Sequence, residues 1–301
     1  MSYGIIALLL ANIMWGAGAP IFKDALTNVP PFTLAFFRFF GAALILLPFI
    51  LHHKKHLEKY DFIQIFIGAF FGITINISFF FLGIQRVSSI NAPILNTVGP
   101  ILLFLLSVYL FKEKMRLKVL LGMLISLIGV LIIIFAPYFQ STGSYGLGNL
   151  KGNIFLIIGV FAAVVQPLIL KNVLKKINPI VVTGYAFLFG AVTFIPLMLW
   201  ETQTWSVAEI NSKGMLGIIY GIIFSSVLAY GLFHYGVSKV KLQEVGIFTY
   251  ISPVAAVIVG IFYKEYPTPS YFLGSMLTFL GIFISEEKIH YHKLHHHIEK
   301  K

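Results

Sequence analysis

The chain has 301 residues, of which 58% are hydrophobic and only 11% charged, and its mean hydropathy is +0.90. Soluble domains carry about a quarter charged residues, so a soluble enzyme or binding module is excluded and the chain reads as a membrane protein. The net charge of +11 does not point to nucleic acid, because the basic residues fall in short loops rather than on one solvated face. Cys is absent, which rules out a disulfide framework, thiolate zinc sites and Cys nucleophiles.

Ten apolar runs follow one another along the chain, at roughly 4–22, 32–51, 62–84, 90–110, 117–136, 152–170, 180–199, 214–235, 245–263 and 270–285. Each is apolar on every face and longer than a membrane β-strand of about 10 residues, so the runs predict helices. A span consumes about 20 residues, which leaves room for short loops and tails only. The first run has no basic leader and recurs in the second half, so it reads as a helix rather than a signal peptide.

The loops orient the chain. With ten spans, both termini share a side with the breaks after spans 2, 4, 6 and 8. The opposite side carries only Lys23, Arg86, Lys151, Lys213 and Lys264, and Arg38 lies within span 2. The other sixteen of the 22 Lys and Arg lie on the side of the termini. This asymmetry predicts cytoplasmic termini.

The two halves resemble each other. Gly83 to Pro100 reads GIQRVSSINAPILNTVGP and Gly236 to Pro253 reads GVSKVKLQEVGIFTYISP, each with Gly and Pro seventeen apart. Lys112 and Glu113 then match Lys264 and Glu265, and Gly122 and Gly129 match Gly274 and Gly281. Earlier, Gly4 pairs with Gly152 and Pro48 with Pro196, so the offset drifts from 148 to 153 and settles at 152. Five spans per copy is an odd number, which inverts the second copy relative to the first. The expected fold is therefore an all-α membrane protein of ten transmembrane helices in two inverted five-helix repeats. Residues 1–137 form the first repeat, 138–285 the second, and 286–301 a cytoplasmic tail rich in His and Lys. Inverted repeats are a signature of secondary transporters, whose site lies at the repeat interface near the midplane.

Trp15 and Gly16 in span 1, Pro31 through Arg38 (PFTLAFFR) at the start of span 2, and the two copies of a P…(K)E…G…G pattern carry a resemblance. The second copy runs from Pro253 through Glu265, Gly274 and Gly281. The chain resembles the drug/metabolite transporter superfamily, in its EamA-type ten-helix branch, over essentially Gly4 to Ser285. The resemblance implies export or exchange of small metabolites such as amino acids, nucleobases or drug-like amphiphiles.

Pro100 and Pro253 are repeat mates near the middle of their spans. They remove the hydrogen bonds that would reach the carbonyls of Asn96 and Thr249, and broken helices at matching positions point to a transport site. Asn12, Trp15, Asn76, Gln166, Tyr185, Tyr230 and Tyr250 lie at comparable depth and, with Asn96 and Thr249, suggest an uncharged, aromatic-rich pocket. Each can equally serve as interhelical packing. Arg38 is the clear charge within a span; it either binds a substrate carboxylate or snorkels and pairs with helix-end carbonyls. Glu113 and Glu265 adjoin a Lys each and read as helix-end ion pairs. The stripes Gly122, Ser126, Gly129 and Gly274, Thr278, Gly281 predict close helix packing. Eight of nine His fall in cytoplasmic segments, and His234 is expected at the cytoplasmic end of span 8.

These features predict a transporter of small organic solutes in the bilayer, working by alternating access, with export the expected direction. The substrate-binding set is Asn12, Trp15, Arg38, Asn76, Asn96, Gln166, Tyr230, Thr249 and Tyr250, with Pro100 and Pro253 as hinges. No catalytic residue, metal, cofactor or nucleic-acid partner is expected. The chain is expected to be a monomer or homodimer in a plasma membrane, of the bacterial inner-membrane kind. A channel-like or structural membrane protein is the alternative, and an intramembrane enzyme is disfavoured because all eleven Asp and Glu fall outside the spans or at their edges. For the same reason no buried carboxylate is expected to couple transport to protons. A fluorescent reporter fused after Lys301 should glow in the cytoplasm, and an alkaline phosphatase fused there should stay inactive; the converse pattern overturns the orientation.

Overall fold

The computed structural model describes residues 3–52, 57–111, 117–139, 147–240 and 245–285, and every regular element among them is helical. The helices are α1 (Tyr3–Ala25), α2 (Pro31–Leu51), α3 (Lys59–Ile84), α4 (Asn91–Asn96), α5 (Val98–Phe111) and α6 (Leu117–Phe139). They continue as α7 (Leu147–Lys176), α8 (Pro179–Glu201), α9 (Ser212–Lys239), α10 (Ile251–Phe262) and α11 (Pro269–Ser285). Six of them, α1, α2, α3, α7, α8 and α9, are long and apolar enough to cross a bilayer, and shorter apolar helices occupy the other runs.

Helix starts follow local chemistry. Pro31 and Pro179 sit in the first turns of α2 and α8, where the missing N–H costs nothing. The Asn178 side chain accepts from Ile180 N, and Asn211 accepts from Lys213 N and Gly214 N at the start of α9. The start of α2 is capped from a distance. The Glu201 carboxylate, at the end of α8, accepts from Phe32 N (3.1 Å), Thr33 N (2.7 Å) and Thr33 Oγ1 (2.8 Å). A carboxylate there also complements the positive end of the helix dipole.

Two of the apolar runs are not single helices. The run at 90–110 breaks at Thr97, between α4 and α5, where Thr97 N and Oγ1 both donate to Ile94 O at 3.1 and 2.6 Å. The run at 245–263 opens with a 3₁₀ turn at Gly246–Tyr250 and continues as α10. The breaks therefore precede the prolines instead of lying at them. Pro100 and Pro253 each occupy the third position of the following helix, where a missing N–H is tolerated, so they begin a half-helix and do not kink one. The ring of Pro100 lies outside the described side chains.

Two other helices widen. α3 contains a π-helical segment at Phe70–Ile75 and α9 another at Gly221–Leu228. Such segments reroute backbone pairing and are frequent at functional sites.

Packing turns the usual soluble arrangement outward. Leu44, Phe49, Phe161, Val192 and Met276 are each more than half exposed, while Asn12, Arg38, Gln166, Ser225, Ser226 and His234 are buried. Lipid around the helices accounts for both facts. α1 lies against α9 and α10, α2 against α8 and α9, and α3 against α7. An aromatic cluster of Phe39, Phe187, Phe194 and Tyr230 fills the space between α2, α8 and α9. His234 lies within this packing, only 1% exposed, rather than at an interface. Thr183 Oγ1 donates to Pro179 O and meets His234 Nδ1 at 2.7 Å, so the ring nitrogen is the donor in that contact.

α6 and α11 pack along the two small-residue stripes, with Ser126 Oγ donating to Thr278 O at 3.0 Å. A methyl group on Gly281 would strike the Gly122 carbonyl and Ser126 N, and one on Gly129 would strike the Gly274 carbonyl. Backbone cannot yield as a side-chain tip can. Gly281→Val or Gly129→Val should cost about 3 kcal/mol or more, lowering Tm in detergent, whereas Met276→Val on the outward face should stay within about 0.5 kcal/mol. Equal Tm shifts for the two kinds of variant would refute this packing.

Candidate functional site

Helices from both halves line a central cavity of about 180 Å³. Eight of the nine sequence-derived candidates line it: Asn12, Trp15, Arg38, Asn76, Asn96, Gln166, Tyr230 and Thr249. They come from α1, α2, α3, α4, α7, α9 and the turn before α10. Tyr250 is not among the lining residues; its ring meets Phe279 of α11 at 6.3 Å. Tyr185 likewise packs on Phe62 at 5.1 Å, away from the cavity. Tyr250 follows Thr249 in the 3₁₀ turn and so points to a different face, while Tyr185 sits within the unbroken α8 on a side that packs against α3.

The polar groups are organised by the π segments. Trp15 Nε1 donates to Ser225 O (3.0 Å), Arg38 Nη2 donates to the same oxygen (3.0 Å), and Arg38 Nε donates to Ser226 Oγ (2.8 Å). In α3, Gly72 O accepts from Tyr230 OH at 3.3 Å. Widened turns thus present carbonyls sideways, and donors from neighbouring helices reach them. The Arg38 guanidinium also lies over Phe39 at 4.7 Å, Phe22 at 5.1 Å and Tyr230 at 6.0 Å. Arg38 is 1% exposed, so it does not snorkel.

Close approaches shape the rest of the wall. A methyl on Gly16 would collide with the Ser252 carbonyl, which explains a glycine beside Trp15 where α1 meets α10. Ser252 Oγ donates to Asn12 O at 2.8 Å across this contact. Asn76 Nδ2 donates to Gly159 O (2.8 Å), tying α3 to α7. Gln166 fits against Gly72, and its Nε2 has no hydrogen-bond partner among the described residues. No Asp, Glu or His is among the described residues that line the cavity.

The residues missed in the sequence are Ser225, Ser226, Gly72, Phe22 and Phe80, which complete the lining or its supports. The adjacent Ser pair inside an otherwise apolar run was a readable signal; the aromatic and glycine positions gave none. Glu113 and the His-rich tail at 286–301 lie outside the described residues.

A second polar cluster closes the bundle at the end where α1 terminates. Lys23 Nζ pairs with Glu265 Oε1 at 2.7 Å and donates to Val87 O at 2.8 Å. Glu265 Oε2 accepts from Ser88 Oγ (2.9 Å), Ser89 N (2.8 Å) and Ser89 Oγ (2.6 Å). The partner of Glu265 is therefore Lys23, not the adjacent Lys264, whose backbone takes a positive φ of 60°. Burial by itself pushes the Glu265 carboxyl up, but the Lys23 ammonium and the two serines outweigh it and hold the group below the ordinary value of 4.5.

A multi-helix membrane protein with a cavity at its centre, aromatic in lining and bearing one cation, has the architecture of a solute carrier. The chain belongs to the EamA-like transporter family, whose model matches residues 2–135 and 150–286. It is 28% identical over 285 residues to the uncharacterized transporter YetK of Bacillus subtilis (strain 168), covering 93% of this chain and 86% of that protein. An uncharacterized transporter of Archaeoglobus fulgidus is 25% identical over 290 residues, covering 95% and 98%. A chloroplastic WAT1-related protein of Arabidopsis thaliana is 22% identical, covering 92% of this chain and 68% of that one. A solved crystal structure superposes with a TM-score of 0.68 at 17% identity, over 94% of this chain and 96% of the other, and so shares the fold. The protein is a membrane transporter and not an enzyme.

Because the folded Glu265 carboxyl is lowered, its contribution to stability is full above the unfolded value and disappears as pH falls through the folded one. Wild-type protein should therefore exceed Glu265→Gln in Tm at pH 7, and the gap should close on acidification below about pH 4. A gap independent of pH would refute the charged latch.

Proposed function

We propose that the protein is a secondary transporter that moves small organic metabolites out of the cell by alternating access around the central cavity. In this reading ten spans form two inverted five-helix repeats, residues 1–137 and 138–285, in the plasma membrane with both termini cytoplasmic. The observation that carries it is the cavity itself, lined by matching positions from both halves: Asn96 and Thr249 beside the two broken spans, Gly72 and Ser225 in the two π segments. Broken helices at the midplane of inverted repeats are the arrangement in which a rocking motion exposes one site to either side.

Further support comes from the helix ends. Lys23 donates to Val87 O, while Lys171 donates to Val240 O at 2.7 Å and to Val237 O at 3.0 Å. The two lysines are related by the offset 148 and the valines Val87 and Val240 by 153, the same drift read in the sequence. Each lysine binds backbone carbonyls that precede a broken span, one at each end of the bundle. In the proposed cycle the Lys23–Glu265 latch opens when the cavity faces outward. No acid is among the described residues of the cavity wall, which favours exchange or facilitated diffusion over proton coupling through a buried carboxylate.

The test is counterflow in proteoliposomes, using radiolabelled amino acids and small aromatic metabolites as the panel. Saturable flux accelerated by unlabelled solute on the opposite side is expected. Asn96→Leu and Thr249→Val should each lower flux at least about tenfold while changing Tm little, as loss of a cavity hydrogen bond is worth roughly 1–2 kcal/mol. Flux without saturation or counterflow would indicate a pore, and normal flux in both variants would displace the site.

A further inference from the structure

Arg38 is the one charged residue among the described residues that line the cavity, and no described carboxylate pairs with it. The ion pairs among the described residues are Lys23–Glu265, Lys176–Asp61 and Lys213–Asp24, none of which includes it. Guanidinium does not deprotonate in proteins, so the cavity carries a full positive charge at every working pH. A cation at membrane depth is costly and ordinarily has a partner or a function. The oxygens it does reach, Ser225 O and Ser226 Oγ, are neutral. The rings of Phe22, Phe39 and Tyr230 stabilise the charge without neutralising it.

The way Arg38 is held matters as much as its charge. Two of its five N–H donors are used, on Nε and Nη2, and both face α9. Nη1 and the second hydrogen of Nη2 make the outer edge of the fork, and that edge has no bond among the described residues. This is the edge that takes a carboxylate through two parallel hydrogen bonds. Gln166 adds a second unmet donor. It is 4% exposed, lines the same cavity, and its Nε2 has no partner among the described residues. The two are linked through Tyr230, which lies 6.0 Å from the guanidinium and donates to the carbonyl of Gly72, the residue against which Gln166 packs.

The remaining wall fixes the body of the ligand. Phe80, Ile77, Leu156, Val160, Val164 and Phe233 offer carbon, not charge. About 180 Å³ is slightly more than the roughly 150 Å³ of an engineered cavity that holds benzene, which is room for one ring or a short chain. Charge balance then separates the solute classes. A monoanion neutralises the cavity, a zwitterion leaves it positive, and a cation doubles the charge.

We infer that the transported solute is a small organic monoanion, a carboxylate on a single ring or short apolar chain, whose carboxylate seats on the free edge of Arg38. Gln166 donates to the same head group, and the apolar wall sorts the tail. The inference rests on the carrier reading above, and deepens it by naming the substrate class.

The test uses three probes of one shape: 3-phenylpropanoate, its neutral amide 3-phenylpropanamide, and the cation 3-phenylpropylamine. Binding to the purified full chain is measured by calorimetry and by thermal shift, and counterflow is measured in proteoliposomes. The carboxylate should bind at least about tenfold tighter than the amide, since a unit charge pair at contact outweighs a neutral contact even at intermediate dielectric. The amine should bind least. Arg38→Lys should keep the order of the probes, and Arg38→Gln should bring the carboxylate down to the level of the amide. If Arg38→Gln fails to fold, the wild-type comparison of carboxylate and amide still decides. Equal binding of the two, no binding of the carboxylate at millimolar concentration, or an unchanged preference in Arg38→Gln would each overturn the inference. Saturable counterflow of the amide in that event would leave the carrier reading standing, whereas a probe that binds and is never exchanged would bring down the carrier reading alone.

Discussion

The carbonyl of Ser225 is the point on which the central architecture turns. It accepts from Trp15 on α1 and from Arg38 on α2 at the same distance of 3.0 Å, so one backbone oxygen ties three helices together. An ordinary α-helical turn keeps its carbonyls aligned with the axis and within their own ladder. The widened segment at Gly221–Leu228 tilts this one toward its neighbours. In hydrocarbon the alternative to such pairing is an unsatisfied backbone group at several kcal/mol, and the buried donors face the same penalty. The arrangement therefore holds only if all three helices stay in place, which is how a cation and an indole N–H are kept at fixed positions beside the cavity.

From that junction outward the structure alternates between rigid and separable contacts. α6 and α11 approach closely enough at Gly122, Gly129, Gly274 and Gly281 for backbone to meet backbone, with Ser126, Ile133 and Thr278 packed beside the glycines. Such a contact moves as a unit. The contacts at the helix ends are of the other kind. Lys23, Glu265 and the Ser88–Ser89 pair are joined by hydrogen bonds and one ion pair across the ends of α1, α4 and α10, which water can replace as they part. The latch draws its strength from charge in a partly wet setting and the core of the bundle from packing. The proposed carrier cycle, in which the ends open and the middle stays intact, calls for that distribution.

The cavity shows how a membrane interior can be polar without being acidic. Amides, hydroxyls and indole satisfy one another through backbone oxygens, as in the Ser252 to Asn12 and Asn76 to Gly159 contacts. Arg38 and Gln166 are among the members whose donors exceed their partners in the described residues. Surplus donors in a largely apolar wall define a complementary acceptor more sharply than any fully satisfied group can.

Much of this was written in the chain before it folded. Composition alone dictates a membrane protein, because 58% hydrophobic residues cannot be buried by 11% charged ones in a soluble body of this size. Helices follow from the need to satisfy the backbone in hydrocarbon, and polar residues such as Asn12, Asn76 and Gln166 could be assigned inward because the outside is lipid. The repeated Gly, Pro and Glu positions marked where the spans would break. Folding decided what depends on contacts between distant segments. That Glu265 pairs with Lys23 and not with its neighbour Lys264 is set by the approach of α1 to the loop after α10. That Tyr250 misses the cavity and His234 is buried is set by rotation at a 3₁₀ turn and by packing against α8. The widening of α3 and α9 has no local sequence code, since it trades backbone pairing within a helix for hydrogen bonds between helices. Periodicity and composition are properties of neighbours along the chain, so they determined the membrane class and the helical character, whereas the shape and charge of the cavity came from residues more than a hundred positions apart.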